Sequence, residues 1–505
     1  MLAKTLSFGL NGLNGYPVGV EVDAHNGLPA FDIVGLADTA VKESRERVRL
    51  AIKNSGFDYP LGKVVVNLAP ADTKKEGSVF DLAIAVGILC VTEQLILSRA
   101  KNFVYLGELS LDGKLRKVKG ILPALISAKQ LGYTDIIIPC GNVSEAEYIE
   151  GLNIYTADSL RTVVELIEGK LALLPLPIKQ WRPDLLIDSP FDIKYIKGQF
   201  FAKRALEIAV SGGHNMLMIG PPGSGKTMLA QAVPTIMPDL TFNEALEIAK
   251  INSVVGELDG FIFKRPFRSP HHTASLVSLT GGGTKVRPGE ISMAHNGVLF
   301  LDELPEYTKS VLETLRQPLE DKKITVARAA TTVTYPANFM LIASMNPCPC
   351  GFFGSQIREC NCSVFQIQKY LSKLSGPLLD RIDINIEVES LPYSQLSDEQ
   401  ESEKSSDIKI RVDAARKIQT ERFKDEGIFC NAQMNNAHIK KYCKIDAKSK
   451  LLLENCFIKL KLTARAHNRI LKVARTVADL AGVKDIMPNH IAEAIQYRSN
   501  DNFKV

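Results

Sequence analysis

Long apolar runs are scarce in this sequence. The longest, LAIAVGILCV from Leu82 to Val91, has ten residues, about half of what a bilayer-spanning helix needs, so no membrane span is expected. The opening MLAKTLSFGLNGLNG has one lysine and then glycine and asparagine where an export signal would carry an apolar core. No signal peptide is read there, and a cytoplasmic protein is expected. Tryptophan occurs once, at Trp181, and no internal repeat is found. A strong excess of one charge is missing too. The net charge is +5 over 505 residues, with 45% hydrophobic and 23% charged residues, the make-up of a globular protein with room for about three domains.

What charge there is lies unevenly. From Ile408 onward, twenty Lys and Arg stand against ten Asp and Glu, which points to an anionic polymer as partner or to a solvated helical surface. Nine cysteines in a chain of this kind read as reduced thiols or metal ligands rather than disulfides. Residues 1–170 alternate strand-like runs such as KVVVNLA with helical ones such as TAVKESRERVRLAIKNSG, the pattern of a mixed α/β domain. A proline-punctuated linker (171–190) leads to a second α/β unit (191–392), and the polar stretch SQLSDEQESEKSSD marks a flexible connection (393–407). Residues 408–505 keep helical periodicity and predict an all-α module.

NMLMIGPPGSGKTMLAQAV is the most informative line. An apolar strand ends at Gly220 and a helix begins near Lys226, with Gly220, Pro221, Pro222, Gly223, Ser224, Gly225, Lys226 and Thr227 between them in the pattern G-x-x-x-x-G-K-[ST]. Such a loop wraps its backbone N–H groups around phosphate. Lys226 is then suited to the β- and γ-phosphates of ATP and Thr227 to Mg²⁺. GVLFLDEL is a buried strand ending in Asp302 and Glu303: the first is placed to hold the Mg²⁺ and the second to polarise an attacking water. After the next strand, NFMLIAS, Asn346 offers an amide to position that water or the γ-phosphate.

Together with SGPLLDRIDI, these motifs resemble an AAA+ ATPase. FRSPHHTASLVSLTGGG, KVRPGEISMAHNGVLFLDELPEY and LRQPLEDKKITVARA resemble specifically the magnesium-chelatase-like ComM/YifB family, along essentially the whole chain. The resemblance implies an ATP- and Mg²⁺-dependent ring, a hexamer, with Arg381 as an arginine finger reaching the neighbouring subunit's site. It implies that Arg465, or the nearby Arg469, is the sensor 2 residue. Gln199, in IKGQ, resembles the adenine-side element, a plain strand-to-helix turn being the other reading. The family likeness implies helicase or branch-migration activity on branched or single-stranded DNA. The alternatives are a chelatase-type motor, for which no D-x-S-x-S motif is found, and a chaperone-like motor remodelling a protein.

Residues 1–170 resemble the proteolytic domain of Lon. The positions corresponding to that domain's serine and lysine hold Val79 and Leu122, with Ser78 one residue and Lys119 three residues out of place, so a non-catalytic docking or assembly domain is expected. Two insertions interrupt the ATPase unit. One carries Arg268, His271, His272, Lys285 and Arg287; the other, DKKITVARAATTVTYP, reads as a hairpin with Lys322, Lys323 and Arg328. Their cations are candidate DNA contacts, as phosphate tracking is electrostatic and indifferent to sequence, and packing between subunits is the alternative. The adjacent histidines lack the spacing of a helical metal pair. Cys348, Cys350, Cys360 and Cys362 form two C-x-C pairs nine residues apart, which four thiolates could close around Zn²⁺ or leave as reduced structural thiols.

Overall fold

The strands Leu2–Asn11 and Asn14–His25 pair antiparallel from Leu2 opposite Asp23 to Asn11 opposite Asn14, so only Gly12 and Leu13 make the turn. This hairpin is the middle of a seven-stranded mixed sheet. Its order is Ala30–Val34, Lys63–Ala69, Asn14–His25, Leu2–Asn11, Val104–Tyr105, Asp135–Pro139 and Asn153–Ala157. The computed structural model describes residues 2–183, 189–283, 286–328, 331–354, 358–392, 402–460 and 463–498. The chain forms two units, one of Met1–Arg182 with Phe242–Phe263, the other of Pro183–Thr241 with Lys264–Val505. Among the described residues no helix is long and apolar enough to cross a membrane.

In the first unit the apolar run noted above becomes the helix Asp81–Val91, and all eleven of its residues are buried. A helix that is apolar all round has to be enclosed, and this one lies on the central hairpin, where Thr5 Oγ1 donates to the Ala83 carbonyl at 3.0 Å. At its head, Asp81 takes the guanidinium of Arg47 at 2.8 and 3.1 Å and the Leu109 N–H at 3.3 Å. Burial pushes the Asp81 carboxyl up to about 6 against the pull of Arg47.

The positions compared above with a Ser–Lys pair carry no such pair. Val79 and Leu122 both pack in apolar surroundings. Ser78 donates to the Glu108 carboxylate. Lys119 donates to the Val255 carbonyl at 2.9 Å, and Lys75 to the carbonyls of Pro70 and Thr73. These two amines are spent on backbone oxygens, and Ser78 faces an acid.

The segment Phe242–Phe263, which lies within the expected 191–392, groups with the first unit. Its helix Phe242–Val255 buries Ala245, Ile248, Ala249, Ile251 and Ser253. The Ser253 carbonyl accepts from Gly120 N at 2.9 Å, and its hydroxyl donates to the buried Glu145 at 2.6 Å. Phe261 meets Tyr148 with ring centres 4.6 Å apart, and Trp181 stacks on Phe263 while donating Nε1–H to the Ile262 carbonyl at 3.0 Å. Trp181, read as part of a linker, is thereby an anchor of the first unit.

The second unit is built on a parallel five-stranded sheet in the order Phe267–Arg268, Val298–Leu301, Met340–Met345, Met216–Ile219, Ile384–Glu387. The three middle strands are buried along their whole length, as expected of a parallel sheet covered on both faces. Helices Ser405–Arg422 and Ala464–Leu480 share one apolar core with this sheet and with helix Phe200–Gly212. The C-terminal region is helical as expected, and it closes the core of the unit. Part of its basic excess is internal: Arg422 and Arg475 both bind Asp479, with Nη1 of Arg422 at 2.8 Å.

An assay of unfolded casein with ATP is expected to show no cleavage, given the contacts of Ser78 and Lys119. Proteolysis that disappears in Ser78→Ala would contradict this.

Candidate active site

A parallel sheet has two unlike edges, and the motifs divide between them. Strand Met216–Ile219 runs out at its carboxyl edge into residues 220–225, and helix Lys226–Ile236 starts there from Gly225 with no side-chain cap. The first N–H groups of that helix are free to meet an anion. Gly220 cannot be anything larger: a Cβ would lie 2.1 Å from the Val388 carbonyl oxygen. Gln199 ties the loop to the next strand, donating to the carbonyls of Ser224 at 3.3 Å and Glu389 at 2.7 Å.

Lys226 is buried and folds back on the loop, with Nζ 2.7 Å from the Gly220 carbonyl, 2.8 Å from that of Pro221 and 3.4 Å from Asn346 Oδ1. Burial lowers its pKa, while the nearby Asp302 and Glu303 favour the charged form. Asp302, just past strand Val298–Leu301, accepts from Thr227 Oγ1 at 3.1 Å and from Ser344 Oγ. The same edge thus gathers Lys226, Thr227, Asp302, Glu303 and Asn346 from three adjacent strands. Glu303 sits in the left-handed region (φ 52°), which turns its half-exposed carboxylate out of the strand line.

Two residues here were not anticipated as partners. Ser344 is the one hydroxyl in the run Met340–Met345; an isolated polar residue in a buried strand is the signal that could have found it. His272 places Nδ1 3.3 Å from Glu303 Oε2. Tyr307 holds the histidine loop by donating its hydroxyl to the Pro270 carbonyl at 2.6 Å, and nothing in the linear pattern links positions 272 and 303.

Arg381 lies at the other edge. It precedes strand Ile384–Glu387, and its carbonyl accepts from Asn215, the residue before Met216, at 2.8 Å. Its guanidinium is held by Glu320 and by the Pro377 carbonyl. Arg465 pairs with Asp380 at 2.9 Å, and Arg469 approaches Asp383 at 3.5 Å. These three arginines line a cleft of about 760 Å³ together with Lys322 and Lys472. Arg465, expected with the nucleotide residues, is therefore at the edge opposite its own chain's phosphate loop, because helix Ala464–Leu480 starts beside Asp380.

The expected DNA contacts also divide. Lys322, in the left-handed turn that ends helix Arg316–Asp321, lines the arginine cleft, and burial lowers its pKa, so it is not on the outer hairpin. Arg268 is bound by both oxygens of Glu290 at 2.6 and 2.8 Å and braces the base of its loop. Arg287 and Lys323 are exposed. Lys285 lies outside the described residues, as does the side chain of Arg328, whose backbone pairs with Thr331 at the end of the expected hairpin Lys323–Arg328/Thr331–Pro336. The four clustered cysteines bring their sulfurs within 4.8 Å of one another. The Phe352 N–H pointing at Cys350 pulls that thiol down to about 6.

Residues 192–396 match the magnesium chelatase, subunit ChlI, family; residues 20–142 match its ChlI-subunit domain, and residues 402–498 its C-terminal domain. The competence protein ComM of Haemophilus influenzae is 45% identical over 95% of this chain and 94% of its own length. The uncharacterised YifB of Escherichia coli is 43% identical over 98% and 96%. The 67 kDa magnesium-chelatase subunit of Chlorobaculum tepidum is 28% identical over 30% of this chain and 23% of its own. The chain belongs to the ComM/YifB family of magnesium-chelatase ChlI-like AAA ATPases.

Proposed function

We propose that this protein is an ATP-driven ring motor that moves along or remodels DNA, with helicase or branch-migration activity in recombination of incoming DNA. The observation that carries the ring is the separation of Lys226 and Arg381 to opposite edges of one parallel sheet. An arginine so placed cannot stabilise charge at its own chain's phosphate loop, but it can do so at the loop of a second copy stacked edge to edge. Arg465 and Arg469 share that face, so the sensor role expected of one of them would also be exercised on the neighbour, in a hexamer.

In this reading ATP enters with Mg²⁺, which Thr227 and Asp302 would hold. Lys226 neutralises the phosphates, Asn346 orients the water or γ-phosphate, and Glu303 polarises the water. The four cysteines would hold one Zn²⁺. The first unit is a docking or assembly domain without peptidase chemistry, and the place of work is the cytoplasm. DNA as substrate is supported by the relative named for competence and by exposed cations, among them Arg287, Lys323, Lys440, Lys444 and Lys448. A chelatase-type or chaperone-like motor acting on a protein is the second reading, favoured by the ChlI family match.

Glu303→Gln is expected to bind ATP without hydrolysing it, and Arg381→Ala to lose about three orders of magnitude in turnover. Mixed rings of the two variants contain some interfaces where an intact Glu303 meets an intact Arg381. Part of the ATPase activity should therefore return on mixing, and no recovery in rings shown to contain both would rule out the shared site.

A labelled DNA fork should be shifted by Glu303→Gln protein, and the shift should weaken steeply as salt rises if several phosphates are contacted. No shift, or one indifferent to salt, would favour a protein substrate.

His272→Ala should change kcat by about tenfold or more while leaving the KM for ATP nearly unmoved, since the imidazole meets Glu303 and none of the loop residues. An effect on KM alone would assign it to nucleotide binding instead.

A further inference from the structure

The cysteine cluster adjoins the phosphate loop. Strand Met340–Met345 passes through Asn346 directly into Cys348 and Cys350, and the Gly351 N–H closes a turn on the Cys348 carbonyl at 3.0 Å. Gly351 has φ +87°, and a Cβ there would lie 2.6 Å from Pro222 Cδ and 2.8 Å from its Cγ, with Asn346 Cγ at 3.8 Å. The first C-x-C turn is thus pressed edge-on against the phosphate loop, in a contact that only glycine allows. The second C-x-C pair leads through Cys362 into helix Val364–Leu371, opened by the reciprocal Ser363–Gln366 cap. That helix carries the buried Tyr370, whose hydroxyl meets the Asn346 main chain.

The sulfur geometry fits a thiophilic divalent ion. Four sulfurs each about 2.3 Å from a common centre in a tetrahedron are about 3.8 Å apart. Here Cys348 and Cys350 are separated by 3.3 Å, Cys348 and Cys360 by 3.6 Å, and Cys350 and Cys360 by 3.5 Å. These values are far above the ~2.05 Å of a disulfide. Besides the Phe352 N–H at Cys350, main-chain N–H groups point at two further sulfurs, Phe353 N at Cys348 and Cys362 N at Cys360, 3.3 and 3.5 Å away, as suits sulfurs that carry negative charge. Among its described residues the loop has little apolar surface to hold it otherwise: Phe353 is 44% exposed and, of the four cysteines, only Cys348 is fully buried.

We infer that one Zn²⁺ bound by Cys348, Cys350, Cys360 and Cys362 is the brace that holds Gly351 against Pro222, so that the metal fixes the outer lip of the phosphate loop and sets nucleotide affinity. Zinc here takes no part in hydrolysis. It replaces the apolar packing that this stretch lacks, and its loss releases Pro222 and the Asn346 backbone together. The inference rests on the reading of residues 220–227 as the nucleotide site.

The test uses the full-length protein and a fluorescent methylanthraniloyl derivative of ADP as probe. Zinc is read by its release to a pyridylazo dye and folding by circular dichroism. About one zinc per chain is expected. Stripping it with phenanthroline should weaken probe binding by about ten- to a hundredfold, and adding Zn²⁺ back should restore it. Gly351→Ala should keep the zinc and the fold yet weaken probe binding comparably, because it displaces Pro222 directly; this variant decides the matter if the stripped protein does not stay folded. Protein without zinc, probe affinity unchanged on stripping in protein that stays folded, or probe affinity unchanged in Gly351→Ala would each overturn the inference. Full probe binding by Lys226→Ala would instead overturn the nucleotide reading.

Discussion

Everything in the second unit depends on the polarity of a five-stranded sheet in which all strands point the same way. Parallel strands collect their carboxyl ends on one side, where loops of different sequence origin converge, and leave their amino ends on the other. Residues far apart in the chain, such as Thr227 and Asp302, meet at 3.1 Å because both come after the carboxyl ends of their strands. For the same reason Arg381, three residues before its strand, is kept away from them. One geometric rule thus gathers Lys226, Thr227, Asp302, Glu303 and Asn346 at one side of the sheet and keeps Arg381 at the other.

The parts of this arrangement that were legible in the sequence are those specified locally. The phosphate loop needs a glycine at a carbonyl contact and a lysine at the head of a helix, and both requirements fall within eight residues. The acidic pair after VLFL and the amide after NFMLIAS are likewise adjacent to runs whose apolar continuity marks a buried strand. What was not legible depends on distant packing. Arg465 reads as a sensor residue from its motif alone, and that Asp380 sits beside the start of its helix follows only from the fold. Lys322 stands beside Lys323 in sequence but points into a cleft, because a left-handed turn reverses the chain between helix and hairpin. The His272 contact with Glu303 joins two loops with no common periodicity.

The first unit shows a different balance. Its fold is preserved around a helix that tolerates no solvent, and the buried Asp81 and Arg47 pair is what a wholly enclosed helix requires at its polar head. Nothing in that demand concerns Ser78 or Lys119. That packing makes no use of a reactive pair, and the two positions that resemble those of a Ser–Lys dyad hold Val79 and Leu122.

The excursion of residues 242–263 into the first unit bears on how the chain is made. Emerging from the ribosome, residues 1–182 contain every strand of the seven-stranded sheet but lack the helix that takes the Gly120 N–H and covers Leu122. Its last piece is synthesised only after the phosphate loop and helix Lys226–Ile236 have appeared. The two units must therefore mature interleaved, and a fragment cut at the apparent linker would expose the very surface around Trp181 that the later segment exists to cover.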